Sequence, residues 1–154
     1  MLTINTLTKM IRVKKVETDS ELQDAFKVRE IVFIEEQDCP VDEEFDGFDE
    51  ESIHFVAYSN DQAIGTNRYR RTDKGIKLER FAVLKEQRGS GVGKRLVQTT
   101  LGHIEKQNYP SGTLIYLHAQ LQAMPLYSRH GFEKVGDKFE EVGIEHYEMR
   151  KVTS

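Results

Sequence analysis

The stretch Val83-Leu84-Lys85-Glu86-Gln87-Arg88-Gly89-Ser90-Gly91-Val92-Gly93-Lys94 constrains this chain more than any other. A strand-like run ends at Leu84, a loop follows, and a helical pattern opens inside the glycines. The first amides of a helix have no partner within it and point outward. The helix dipole adds partial positive charge there, so an anion, and a phosphate above all, fits that end. Glycine lets a phosphate reach the amides without a Cβ in the way, and Arg88 and Lys94 add positive charge. Glycine in a helix interior costs about 1 kcal/mol against alanine; close approach of a ligand would explain three of them here. The segment Arg88, Gly89, Ser90, Gly91, Val92, Gly93 and Lys94 is therefore a candidate phosphate site. A glycine-rich turn with no ligand is the plainer alternative.

Two well-known phosphate loops do not fit. A Walker A loop needs Gly, four residues, then Gly-Lys-Ser/Thr. Arg88 occupies the first glycine position and Arg95 the hydroxyl position. A dinucleotide fingerprint needs G-x-G-x-x-G. Counted from Gly89 its last place is Lys94, and counted from Gly91 it is Leu96.

The rest of the chain supplies alternating elements. Ile11–Val16 alternates apolar and polar, as a half-buried strand does. Thr18 and Glu21 have capping-box spacing, and Leu22, Ala25, Phe26, Arg29 and Phe33 carry a helix to about Gln37. Residues 38–51 read as an acidic loop with room for a helical turn. Strands follow at Ile53–Tyr58, Ala63–Arg70 and Ile76–Leu84, joined by tight turns that imply an antiparallel meander. A helix covers Gly89 to about Gln107, then a strand Thr113–His118. A short helix Met124–His130 has Gly131 at its C-cap position. Two last strands lie near Phe132–Phe139 and His146–Val152. The order β-α-β-β-β-α-β-α-β-β predicts an α/β (α+β) fold: a mixed, mostly antiparallel sheet with helices on its faces. The helix between Leu84 and Thr113 is long enough to make those two strands parallel. With no linker or repeat, residues 11–154 read as one domain and residues 1–10 as an N-terminal extension.

Composition narrows the function. A net charge of −4 and a pI near 5.8 argue against nucleic acid as a partner. No apolar run approaches the ~18 residues of a membrane span, and the N-terminus lacks a signal core. Cys39 is the one cysteine, which fits a reducing cytoplasm and a structural or incidental thiol. His54, His103 and His130 show no metal spacing. Asp42, Glu44, Asp46 and Gly47 imitate the start of a calcium loop, but its closing Glu position is Ile53. No metal is expected.

Arg88, Gly91 and Gly93 satisfy the pattern Arg/Gln-x-x-Gly-x-Gly/Ala. The stretch Gln120 to Phe132 is similar to Asn-x-x-Ala-x-x-Leu-Tyr-x-x-x-Gly-Phe, matching at Ala123, Leu126, Tyr127, Gly131 and Phe132, with Gln120 in place of Asn. By these two motifs the chain resembles the GNAT superfamily of acetyl-CoA-dependent N-acetyltransferases from residue 11 to about 150. A closer likeness to a YjcF-like bacterial subgroup rests on Val32–Gln37, Leu78-Glu79-Arg80, Leu117–Gln120 and Gly143–His146.

The resemblance implies a fold, a cosubstrate and site residues. Two parallel strands splay, and the pantetheine arm of acetyl-CoA lies in the gap against Phe81, Ala82 and Val83. The pyrophosphate sits on the amides of Gly89–Lys94, and Gln120 makes a further contact. Tyr127 matches the family's general-acid tyrosine; its plainer role is a packed ring with a satisfied hydroxyl. An amide near Val83 would stabilise the carbonyl oxygen. The base is open. Glu79, read by alternation as sharing a face with Phe81 and Val83, is either the base or one half of a salt bridge. His118 is either a base with a suitable pKa or a structural histidine. His146 lines the acceptor site or faces solvent. Residues 35–51 hold ten acidic residues and no basic one. They form either an acidic rim that attracts a cationic amine or a solvated loop. The expected acceptor is a small primary amine, such as a polyamine, an amino sugar or a lysine side chain, and the expected assembly a homodimer. A non-catalytic CoA-binding module and a transferase of longer acyl groups are the alternatives.

Overall fold

A computed structural model describes residues 10–154; the expected N-terminal extension, apart from Met10, lies outside the described residues. Strand β1 (Ile11–Lys15) leads to helix α1 (Asp19–Arg29). The capping box forms: the Thr18 hydroxyl accepts from the Glu21 amide at 3.1 Å, and the Glu21 carboxylate accepts from the Thr18 amide at 3.1 Å. The helix does not continue in α form to Gln37. Residues Glu30–Glu36 adopt π-helical bonding, which a 3.6-residue period cannot distinguish. Such segments concentrate at functional sites. Within the acidic segment, helix α2 (Val41–Glu44) starts after Pro40.

Strands β2 (Ile53–Ser59), β3 (Gln62–Arg71) and β4 (Ile76–Val83) form the meander, helix α3 (Val92–Glu105) crosses over, and β5 (Leu114–Gln120) follows. After helix α4 (Met124–Ser128), the hairpin β6 (Glu133–Glu141) and β7 (Ile144–Val152) completes the sheet. Its order is β1-β2-β3-β4-β5-β7-β6. Among the described strands only β4 and β5 pair in parallel, and the expected mixed sheet is present. Val92, Leu96, Val97 and Ile104 of α3 are buried against it; fully burying such side chains contributes about 1.5–3 kcal/mol each. Gly65 permits the approach, since a Cβ there would meet Val92 Cγ1 at 2.8 Å.

Two irregularities shape the centre. The β4–β5 ladder covers only Ile76–Leu78 and Ile115–Leu117, so the continuing strands part. In β4, Ala82 faces Thr66 while Glu79 faces Arg68, so three steps of β4 match two of β3. Arg80 takes up the extra residue with φ +60°. A bulge reverses the alternation beyond it. Glu79 therefore shares the face of Ala82, Arg68 and Arg70, not that of Phe81 and Val83 as simple alternation predicts.

Candidate active site

A cleft of about 1080 Å³ opens where β4 and β5 part. It is lined by the predicted residues Phe81, Ala82, Val83, Arg88, Gly89, Gly91, Val92, Gly93, Lys94, Gln120 and Tyr127, and also by Glu79 and His118. Ser90 is the exception: it does not line the cleft, and its hydroxyl donates to the Gln87 carbonyl at 2.5 Å.

At one end the glycine turn opens α3. Gly89 and the N-cap Gly91 have φ of +83° and +92°, the left-handed region that favours glycine. Arg95 is the first amide to find a helical acceptor, the Gly91 carbonyl at 3.1 Å. Among the described residues, no backbone acceptor takes the amides of Gly89 to Lys94. A Cβ on Gly91 would meet nothing within 4 Å, so the cradle is open. Gly91→Val puts a β-branched side chain at a strained φ inside it. With far-UV circular dichroism unchanged, calorimetry should show binding of the expected acetyl-CoA weakened at least about tenfold, as expected for losing a hydrogen bond to a charged phosphate, about 1.5–3 kcal/mol. Wild-type affinity in that variant would mean the cradle holds no phosphate.

Arg88 is not free to face an anion as the sequence suggests. Its guanidinium forks onto Glu36 of the π-helix at 2.7 and 2.7 Å, and its Nε donates to the Val83 carbonyl at 2.9 Å. The hydrogen bond from Arg88, against a smaller effect of burial, holds Glu36 below the usual carboxylate range. Lys94 lines the cleft and forms no ion pair among the described residues.

Mid-cleft, Tyr127 sits on α4, whose first turn holds Pro125, a position that needs no amide donor. The ring is buried against Phe81, edge-on with centroids 5.3 Å apart, and against Phe132 at 6.1 Å. Its hydroxyl has no hydrogen-bond partner among the described residues, and burial raises its pKa above that of an ordinary phenol. Gln120 donates to Gln37 Oε1 at 3.2 Å and so ties the end of β5 to the segment after the π-helix.

On the far side, Glu79 is bound through both oxygens: Arg68 Nη2 at 2.8 Å and Arg70 Nε at 2.5 Å. Its burial pushes the pKa up, but the charge and hydrogen bond of Arg68 outweigh this and hold it below the usual range. The salt-bridge alternative describes Glu79. His118, by contrast, has Nδ1 2.7 Å from Glu141 Oε2. His146 is buried, with Nδ1 2.7 Å from the Ile144 carbonyl and Nε2 3.8 Å from Glu141 Oε1. Glu141 and His146 both line the cleft.

These features meet in one family, and the sequence comparison decides it. The model of the acetyltransferase (GNAT) domain matches residues 21–153. The chain belongs to the GNAT acetyltransferase family. It is similar to YjcF of Bacillus subtilis, an N-acetyltransferase itself uncharacterized, at 40% identity over 134 residues, 86% of this chain and 94% of YjcF. The crystal structure of Escherichia coli ElaA superposes with a TM-score of 0.81 at 28% identity, covering 92% of this chain and 99% of ElaA. An acyl-CoA N-acyltransferase from Pseudomonas aeruginosa gives a TM-score of 0.79 at 28% identity, covering 92% of this chain and 99% of that one.

The acidic segment of this GNAT domain is neither a free rim nor a solvated loop throughout. Arg29 bonds Glu44 Oε2 at 2.6 Å and Asp49 Oδ1 at 2.6 Å. Arg68 bonds Asp49 Oδ1 at 2.6 Å and Asp46 Oδ2 at 2.9 Å, and Arg80 bonds Asp46 Oδ2 at 3.0 Å. Burial pushes Asp46 up, but Arg68, the Phe48 amide and Arg80 outweigh it and hold the carboxyl at about 2. Asp49 is lowered likewise by Arg29 and Arg68 against burial. Depressed folded pKa values give stability that is present above the unfolded values, near 3.9–4.3, and lost as pH falls through the folded ones. Burial raises Glu44 instead, so that group adds stability as pH falls toward the unfolded carboxylate range and does not offset the loss below it. The thermal midpoint should therefore fall steadily from about pH 4 toward pH 2. A flat profile there would contradict the arginine network.

Sequence reasoning missed Glu36, Gln37, Arg68, Arg70 and Glu141. Glu36, Gln37 and Glu141 have partners 52, 83 and 23 positions away, while Arg68 and Arg70 meet Glu79 across the β3–β4 hairpin; only the hairpin turn at Val142-Gly143 hinted that β6 returns Glu141 to the cleft. Cys39 also lines the cleft; burial raises its thiol pKa, which works against a nucleophilic role. Among the described residues no helix is long and apolar enough to cross a membrane, and no group of three His, Cys, Asp or Glu side chains could hold a metal ion.

Proposed function

We propose that this protein is a cytoplasmic N-acetyltransferase that moves acetyl from acetyl-CoA to a primary amine by direct attack in a ternary complex, with Tyr127 as the acid. One observation carries the reading: the open amide cradle, the unpaired edges of the parting strands and the unpartnered Tyr127 hydroxyl share a single cleft. Buried backbone amides and carbonyls require partners. An extended ligand with its own amides and a pyrophosphate suits both the strand edge and the cradle.

Acetyl-CoA supplies an activated thioester when bound. The chain does the rest. Gly89–Lys94 would hold the pyrophosphate by amides and dipole, and Phe81–Val83 would align the arm. An amide near Val83 would face the carbonyl oxygen as it gains charge. Tyr127 stays protonated at neutral pH, so it meets the sulfur as a hydrogen donor. A phenol above pKa 10 is a weaker acid than a thiol near 8.5. Its proton therefore moves only as the C–S bond breaks, which suits a group acting late in the reaction. The acceptor is a primary amine that arrives as an ammonium ion, and the lowered pKa keeps Glu141 anionic toward it.

The test is thiol release from acetyl-CoA across a panel of polyamines, amino sugars and lysine peptides. Amine-dependent release is expected, and faster than with longer acyl donors. Binding of acetyl-CoA with no release for any amine would make the protein a CoA-binding module instead.

A further inference from the structure

We propose that His118 is the general base of this acetyl transfer and that Glu141 is the residue that positions it; the proposal rests on the transferase reading above. The last β4–β5 pair is Leu78 with Leu117. The next residues, Glu79 and His118, therefore stand on either side of the opening, on the face opposite Leu78 and Leu117. An amine approaching the opening from that face passes these two groups. Glu79 is unsuited to take its proton, since arginines occupy both of its oxygens.

His118 is arranged differently. A carboxylate only accepts, so Glu141 at 2.7 Å fixes the neutral ring with its proton on Nδ1 and its lone pair on Nε2. Nε2 has no hydrogen-bond partner among the described residues. Its nearest charged neighbour is Glu148 Oε1 at 3.6 Å, already held by Lys74 at 2.8 Å and by Arg150. The Phe139 ring meets the imidazole edge-on at 5.0 Å and limits its rotation. Glu141 and Phe139 face it from β6, Glu148 and, beyond Glu141, His146 from β7. Tyr116 faces it from β5, and Lys77 of β4 acts on Glu141. The hydrogen bond from His118, against burial, keeps Glu141 ionised.

The protons balance. The ammonium gives one proton to Nε2, which passes it to water. The amine nitrogen then forms the C–N bond, and the C–S pair leaves on sulfur. Tyr127 protonates the sulfur and is restored by the second nitrogen proton. The products are an amide, a thiol and one proton.

Two experiments decide it. In protein carrying ¹⁵N-histidine, NMR should assign the neutral His118 ring the Nδ1–H tautomer, with the preference lost in Glu141→Ala; an Nε2–H tautomer in the wild type overturns the arrangement. In steady-state assays with an amine that the wild type acetylates, His118→Ala should lower kcat about 100-fold with the KM for acetyl-CoA unchanged, and added imidazole should restore part of it. Glu141→Ala should lower kcat about tenfold, and Glu141→Gln, whose amide oxygen accepts the same hydrogen bond, should recover most of that. A His118→Ala kcat within twofold of wild type, in protein of unchanged thermal midpoint, overturns this role alone. Absence of turnover in the wild type overturns the transferase reading, and this role with it.

Discussion

Arg68→Ala should destabilise the protein by about 3–5 kcal/mol, the usual consequence of breaking a buried ion pair from one side. Arg68 is completely buried and binds Asp46, Asp49 and Glu79 at 2.9, 2.6 and 2.8 Å. Removing it leaves Glu79 with Arg70 and, at 3.8 Å, Arg80, and leaves Asp49 with Arg29. Water cannot fully reach the freed carboxylates. A domain of this length loses roughly 2–4 °C per kcal/mol, so the thermal midpoint should drop by roughly 6–20 °C. The loss should shrink at pH 3, where the carboxylates freed in the variant can take up protons. A midpoint within about 2 °C of wild type would show that the network contributes little. The acidic segment borders the cleft through Glu43, Glu44 and Asp46, so the variant should also loosen acceptor binding.

Tyr127→Phe should behave in the opposite way. It keeps the ring against Phe81 and Phe132 and removes a hydroxyl with no protein partner, so no hydrogen bond is lost. The thermal midpoint should hold or rise. The kcat should fall about 100-fold, the lower range for loss of a positioned acid, with acetyl-CoA affinity unchanged. Rapid-quench and steady-state assays on one preparation would separate the two effects. Unchanged turnover would return Tyr127 to a packing role.

Much of the fold was legible because its signals are local. The capping box at Thr18, the tight turns of the meander and the glycines of the cradle each act within a few residues. What escaped reading acts across the chain or breaks periodicity. The bulge is marked only by Arg80 at φ +60°, a residue with no compositional hint of it, and it moved Glu79 to the other face. The π-helix keeps the apolar spacing of an α-helix for one more turn while turning Glu36 toward Arg88. Residues 35–51 read as unbalanced charge because their arginines come from α1, β3 and β4. The same distance hid Glu141, which reaches His118 across 23 positions.

The proposed chemistry requires that one cleft bind acetyl-CoA through the amides of Gly89–Lys94. Its most direct test is a calorimetric titration of the purified protein, freed of carried-over CoA, with acetyl-CoA and no acceptor. One site per chain is predicted, weakened by Gly91→Val and retained in Tyr127→Phe. No binding by the folded wild-type protein would contradict the account and leave the chain with the fold but not the chemistry.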